Sequence, residues 1–143
     1  MEGNIVIGLA AAKSGKGMDN KKDTGATKIA SIIARLFADR TYAHNAHLKT
    51  SSNAAHKALN KFYDEVVDLA DDLAEIAQGK YGKLDIPVGQ VSSNLGSPAD
   101  ILEASITTII QDAEGCSVRA ISAKIDEIEM LYLSTIYKLR ELH

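Results

Sequence analysis

His44, His56, Asp71 and Glu75 are four metal-binding side chains separated by eleven, fourteen and three residues. Neutral imidazoles combined with carboxylates suit Fe(II) or Zn(II). Residues 54–78 contain neither Gly nor Pro and read as one helix. At ~1.5 Å per residue such a helix holds His56 roughly 22 Å from Asp71. No ion spans that gap. Two copies lying antiparallel about a two-fold axis near Asp64 and Glu65 would bring His56 of one chain beside Asp71 and Glu75 of the other. Symmetry then makes the site twice. The expectation is a metal site shared between subunits.

Stepping about 100° per residue from Val66, the middle of the apolar stripe, places His56 near 80° at the stripe's edge. Asp71, Asp64, Glu75 and Asp68 fall between about 140° and 200°. The carboxylates therefore form a ridge facing away from the helix's own core. That direction argues against a site inside one bundle and leaves a solvated acidic face or a subunit interface. His44 and His47 stand one turn apart on the preceding helix, on the apolar side shared with Ile33 and Leu36. A lone histidine on such a face is more often a satisfied core residue than a ligand. His47 is a weaker candidate, for orienting a ligand. Asp68 and Asp72 are weaker candidates for guiding ions or holding a second metal.

These positions need helices to carry them, and the pattern supplies four. Ile29, Ile32, Ile33, Leu36 and Phe37 recur at three- and four-residue steps from Ala26 to about Lys49. Ser51, Ser52 and Asn53 are N-cap candidates for the second helix. There Leu59, Phe62, Val66, Leu69, Leu73 and Ile76 form the seam, and Gly79 is expected as its C′ stop. Residues 80–96 hold three glycines and a proline and read as an unstructured linker. Ser97-Pro98-Ala99-Asp100 reads as a helix start, with Ser at N-cap, Pro at N1 and an acid at N3. Ile101, Leu102, Ile106, Ile109 and Ile110 line the third helix, which Gly115 stops. The last helix, from about Ser117 to Leu142, carries Val118, Ile121, Ile125, Ile128, Tyr132, Ile136 and Leu139. The expected fold is all-α, a four-helix bundle over 26–143 with a long connection between helices 2 and 3, preceded by an arm at 1–25. Asn4–Ile7 is the one strand-like pattern.

Composition narrows the function. At 143 residues and 45% hydrophobic, the chain is one domain with a real core. A net charge of −3 is not that of a strongly basic nucleic-acid binder. Lys13, Lys16, Lys21 and Lys22 could touch DNA, but three acids among the first 25 residues leave that tail a net +1. One such tail binds weakly, and only many copies on an oligomer would add avidity. No apolar run is long enough to span a bilayer. The lone Cys116 cannot form an internal disulfide, and the N-terminus lacks a basic n-region, so a cytoplasmic protein is expected. Gly8 to Gly17 imitates a phosphate loop, but six residues separate Gly8 from Gly15-Lys16 where that motif needs four. Cys116 has no histidine at catalytic spacing.

The order His44-x11-His56-x14-Asp71-x3-Glu75, with Tyr63 mid-helix and Asp-x-x-Ala-Glu ending at Glu75, resembles the Dps proteins, the miniferritins of the ferritin-like superfamily. The resemblance covers about Ile29 to Gly79. It implies a ferritin-like bundle in which His44 and His56 of one subunit and Asp71 and Glu75 of its two-fold partner bind iron. It also implies oxidation of Fe(II) by peroxide or oxygen, zinc as a substitute metal, and a homo-oligomer of up to twelve subunits. A bacteriophage-encoded relative of that superfamily is a further expectation. The chain departs from the family pattern in having Asn45, Asn60 and Ile76 where an aromatic, an acid and an arginine are usual. The alternatives are a non-enzymatic assembly or virion protein whose His/Asp/Glu cluster is an interface, and a DNA-associated helical module.

Overall fold

Side-chain caps set where two of the helices begin. Ser52 Oγ accepts from Ala55 N (3.1 Å), and Ser97 Oγ accepts from Asp100 N (3.2 Å) with Pro98 in the first turn. The computed structural model describes residues 20–93 and 96–143. Its helices are α1 (Asn20–Lys49), α2 (Asn53–Tyr81), α3 (Pro98–Ala113) and α4 (Arg119–Glu141), with no strand among the described residues. The expectations for Asn4–Ile7, Lys13, Lys16 and most of the arm lie outside the described residues. Lys21 and Lys22 fall in the first turns of α1.

The helices pack as a ring: α1 on α2, α2 on α4, α4 on α3 and α3 on α1, while the diagonal pairs keep their backbones apart. Cross-links give the directions. The His47–His56 and Gly25–Tyr81 contacts make α1 and α2 antiparallel. Phe62–Tyr132 and Lys124–Asp72 do the same for α2 and α4, as Arg140 does for α3 and α4 by bonding Asp100 (2.9 Å) and Glu103 (2.8 Å). It follows that α3 runs parallel to α2, so the connection between them must travel the length of the bundle.

That connection is a strap rather than a free linker. Gln78 Oε1 accepts from Leu84 N (3.0 Å), and Leu84 and Ile86 pack against the core. Gly89 then sits on the α1 backbone at Ala34. Residues 92, 93 and 96 border the C-terminal turns of α1. The core fills the ring with Ile32, Ile33 and Leu36 from α1, Leu59, Phe62, Val66 and Leu73 from α2, Leu102 and Ile109 from α3, and Ile121, Ile128 and Tyr132 from α4. Phe62 and Tyr132 meet edge to face at 4.8 Å.

Helix α4 begins at Arg119 rather than about Ser117, and two other boundaries differ further from expectation. Gly79 does not stop α2; the helix runs on to Tyr81 and is capped at Gly82, whose φ of 86° is the left-handed conformation glycine favours. Tyr81 packs on the core and against Gly25, which holds the extra turn in place. Helix α1 already includes Asn20, the first described residue, rather than beginning at Ala26. Residues 20–25 carry no apolar residue to reveal periodicity, and Gly25, a poor helix former, lies against Tyr81 of α2.

Candidate functional site

Three of the four histidines gather where α1 ends and α2 begins. His47 Nδ1 lies 2.8 Å from the His56 carbonyl oxygen, and His56 Nδ1 lies 3.0 Å from that of His47. A carbonyl only accepts, so Nδ1 carries the proton in both rings. In its neutral form each imidazole then keeps its lone pair on Nε2. The two rings stack at 3.7 Å. His44 stacks on Tyr63 at 4.1 Å, and Tyr63 donates its hydroxyl proton to Asn60 Oδ1 (2.6 Å). His47 is 8% exposed, His44 half-buried and His56 exposed. The clasp ties the hairpin shut and fixes His56 at its outer rim.

The carboxylates lie elsewhere on α2. Asp64, Asp68, Asp71 and Glu75 are exposed, and neither Asp71 nor Glu75 makes a hydrogen bond or ion pair among the described residues. Asp72 faces α4 and pairs with Lys124 (3.4 Å). Because α2 is one continuous helix, His56 and Asp71 stand roughly 22 Å apart in a single chain. Accordingly, no group of three or more His, Cys, Asp or Glu among the described residues is placed to hold a metal within one chain. Donor chemistry still fits a transition metal: imidazoles held in one tautomer by a carbonyl, and carboxylates without a cation.

The bundle centre holds a polar group the sequence reading did not single out. Asp39 is 7% exposed and accepts hydrogen bonds from Ser105 Oγ and from Tyr132 Oη, the latter at 2.5 Å. Burial pushes its carboxyl above the usual range, outweighing the two hydrogen bonds and the Arg35 charge that pull it down. Burial, and then the Asp39 charge, push the Tyr132 phenol well up. A readable signal existed: Asp39 falls on the stripe of Ile32, Leu36 and Ala43. One carboxylate with two hydroxyls does not make an in-bundle metal centre.

Tyr42, one turn further along α1, is buried with its hydroxyl unpartnered. An unsatisfied buried hydroxyl costs stability. Tyr42→Phe is therefore expected to raise the unfolding free energy by about 1 kcal/mol, measured by urea denaturation. A loss of similar size would reveal a partner for that hydroxyl in solution.

The chain is 29% identical over 116 residues to an "Uncharacterized 14.6 kDa protein in mobD-ri intergenic region" of Enterobacteria phage T4, covering 79% of this chain and 88% of that protein. No solved structure matches. A family model described as "Family of unknown function (DUF5856)" matches residues 47–139, a span that takes in His47, His56, Asp71 and Glu75 and leaves out His44. The chain belongs to the DUF5856 family.

Proposed function

We propose that this protein is a ferritin-like, homo-oligomeric iron-binding protein whose site is completed when a second copy lies antiparallel across the α1–α2 face. The observation carrying this reading is the His56 ring. Its Nδ1–H is tied to a backbone carbonyl, the usual orientation for a metal-ligating histidine. Its Nε2 sits on an exposed residue, on the same helix as two unpaired carboxylates that a two-fold axis would bring to it. The ring of helices with one long crossover supports it further, because ferritin-like bundles are connected that way. In this reading His44 and His56 from one chain and Asp71 and Glu75 from the other hold Fe(II). Its oxidation to Fe(III) by peroxide or oxygen is the finer proposal, zinc being a redox-inert substitute and twelve subunits the largest expected assembly.

The test uses Glu75→Ala, because that side chain is exposed and unpaired and its loss does not act through folding. Adding Fe(II) and peroxide to the wild type should give rapid ferric absorbance, cut at least about tenfold in Glu75→Ala and in His56→Ala. A protein that is monomeric by mass at all concentrations, or equal rates in all three proteins, would overturn the reading.

A second reading is favoured by the reciprocal His47–His56 bonds, which already satisfy one nitrogen of each ring within the chain. There the protein is a non-enzymatic assembly component, as its similarity to a phage protein allows. The same substitutions would then shift subunit association while iron oxidation stays at background.

A further inference from the structure

The outer face of α4 is built unlike an ordinary solvated helix face. The helix packs against α2 and α3, and its opposite side presents Arg119, Ala123, Asp126, Met130, Leu133, Tyr137 and Glu141, all exposed. These follow one another at three- and four-residue steps, the spacing of a seam that packs on another helix. Met130, Leu133 and Tyr137 are 61%, 50% and 58% exposed, giving a contiguous apolar strip. The charged ends are the more telling feature. Arg119 opens the helix with no acid in its first turn, a cation at the positive end of the helix dipole, and Glu141 closes it beside Lys138 and Arg140. Neither Arg119 nor Glu141 has an ion-pair partner among the described residues.

Reversing the helix onto itself about Met130 resolves both oddities. Arg119 and Glu141 are each eleven residues from Met130, so an antiparallel copy sets the arginine of each chain against the glutamate of the other, at both ends. Ala123 then faces Tyr137, a small residue opposite a large one, and Asp126 faces the Ser134 hydroxyl. Leu133 lies over the methylene stem of Glu127, and the two Met130 side chains meet on the axis. We propose that the α4 face is a self-association surface on which a second copy of this chain docks antiparallel, with its two-fold axis at Met130. This axis is separate from the one on the α1–α2 face and does not rest on the iron reading. A chain with two such axes builds beyond a dimer, into a closed shell or an open filament. A single helix pair is a small interface, so its dissociation constant is expected to be roughly 1–100 µM.

The test starts from the full chain with Cys116→Ser. Under mild oxidation at about 100 µM, adding Met130→Cys should give at least about fivefold more disulfide-linked dimer than Ala104→Cys, an exposed position on α3, because only the residue on the axis meets its own copy. Arg119→Glu and Glu141→Arg should each weaken association about five- to tenfold in sedimentation equilibrium, and together should restore it. All these positions are exposed, and circular dichroism checks that helicity is unchanged. Equal cross-linking at positions 130 and 104, or a double charge reversal that associates no better than the singles, overturns the proposal.

Discussion

Asp39→Ala should destabilise the bundle by about 3–5 kcal/mol, read from urea unfolding followed by circular dichroism. Removing the carboxylate leaves the Tyr132 and Ser105 hydroxyls buried without an acceptor and opens a gap between α1, α3 and α4. Asp39→Asn separates charge from shape. Burial raises the Asp39 carboxyl in the folded protein, so the native state holds its proton to a higher pH than the unfolded chain does. Between the ordinary carboxylate value and the raised folded one, the unfolded chain binds fewer protons, and stability falls as pH rises through that window. Above the folded value the loss is complete and the contribution is flat. Asp100 and Glu103 act in the opposite sense, since bonding to Arg140 lowers both. Their contribution is lost as pH falls, and it cancels when the two proteins are compared. The stability of the wild type relative to Asp39→Asn should therefore fall as pH rises from acid through that window. Parallel profiles would show that Asp39 does not titrate in that range.

Gly89→Ala should cost about 2–4 kcal/mol, although it adds one methyl group. A Cβ there would lie 2.6 Å from the Ala34 carbonyl oxygen, 3.1 Å from its carbon and 3.3 Å from Ala38 Cβ. The first two are backbone atoms of a packed helix and cannot step aside, so the strap itself must lift. Leu84 and Ile86, which pack against the core on the same strap, would loosen with it. Faster amide exchange over residues 84–91 is the expected signature. Gly79→Ala is the matched control. It lies inside α2 with nothing within 4 Å of the added carbon, and it should raise stability by about 0.5–1 kcal/mol. An unchanged melting temperature in Gly89→Ala would mean that the strap does not bear on α1.

Local chemistry was legible where a residue type has one physical use. Ser52 and Ser97 cap helices because a hydroxyl in that position takes an orphan N–H, and Pro98 opens α3 because its missing donor is not needed there. The apolar stripes named the core, with Val66, Leu73, Ile121 and Ile128 all buried. Gly79 misled because a glycine stops a helix only where the chain beyond has nothing to hold it. Tyr81 had the side of α1 to pack on, a contact invisible along the sequence.

What the sequence determined by itself was the four helices of the described residues, the distance between His56 and the acids on one rod, and most of the inward faces, since periodicity and rise per residue need no neighbours. Phe37 is exposed, and in α2 Ala70 and Ala77 are fully buried while the expected Leu69 and Ile76 are only half-buried. Only the tertiary structure decided that α3 runs parallel to α2, that residues 82–93 form a strap seated on α1, that Asp39 meets Ser105 and Tyr132, and that His47 and His56 bond to each other's backbones. Each joins groups on different elements. Such contacts depend on how whole faces pack, which no single helix's pattern encodes.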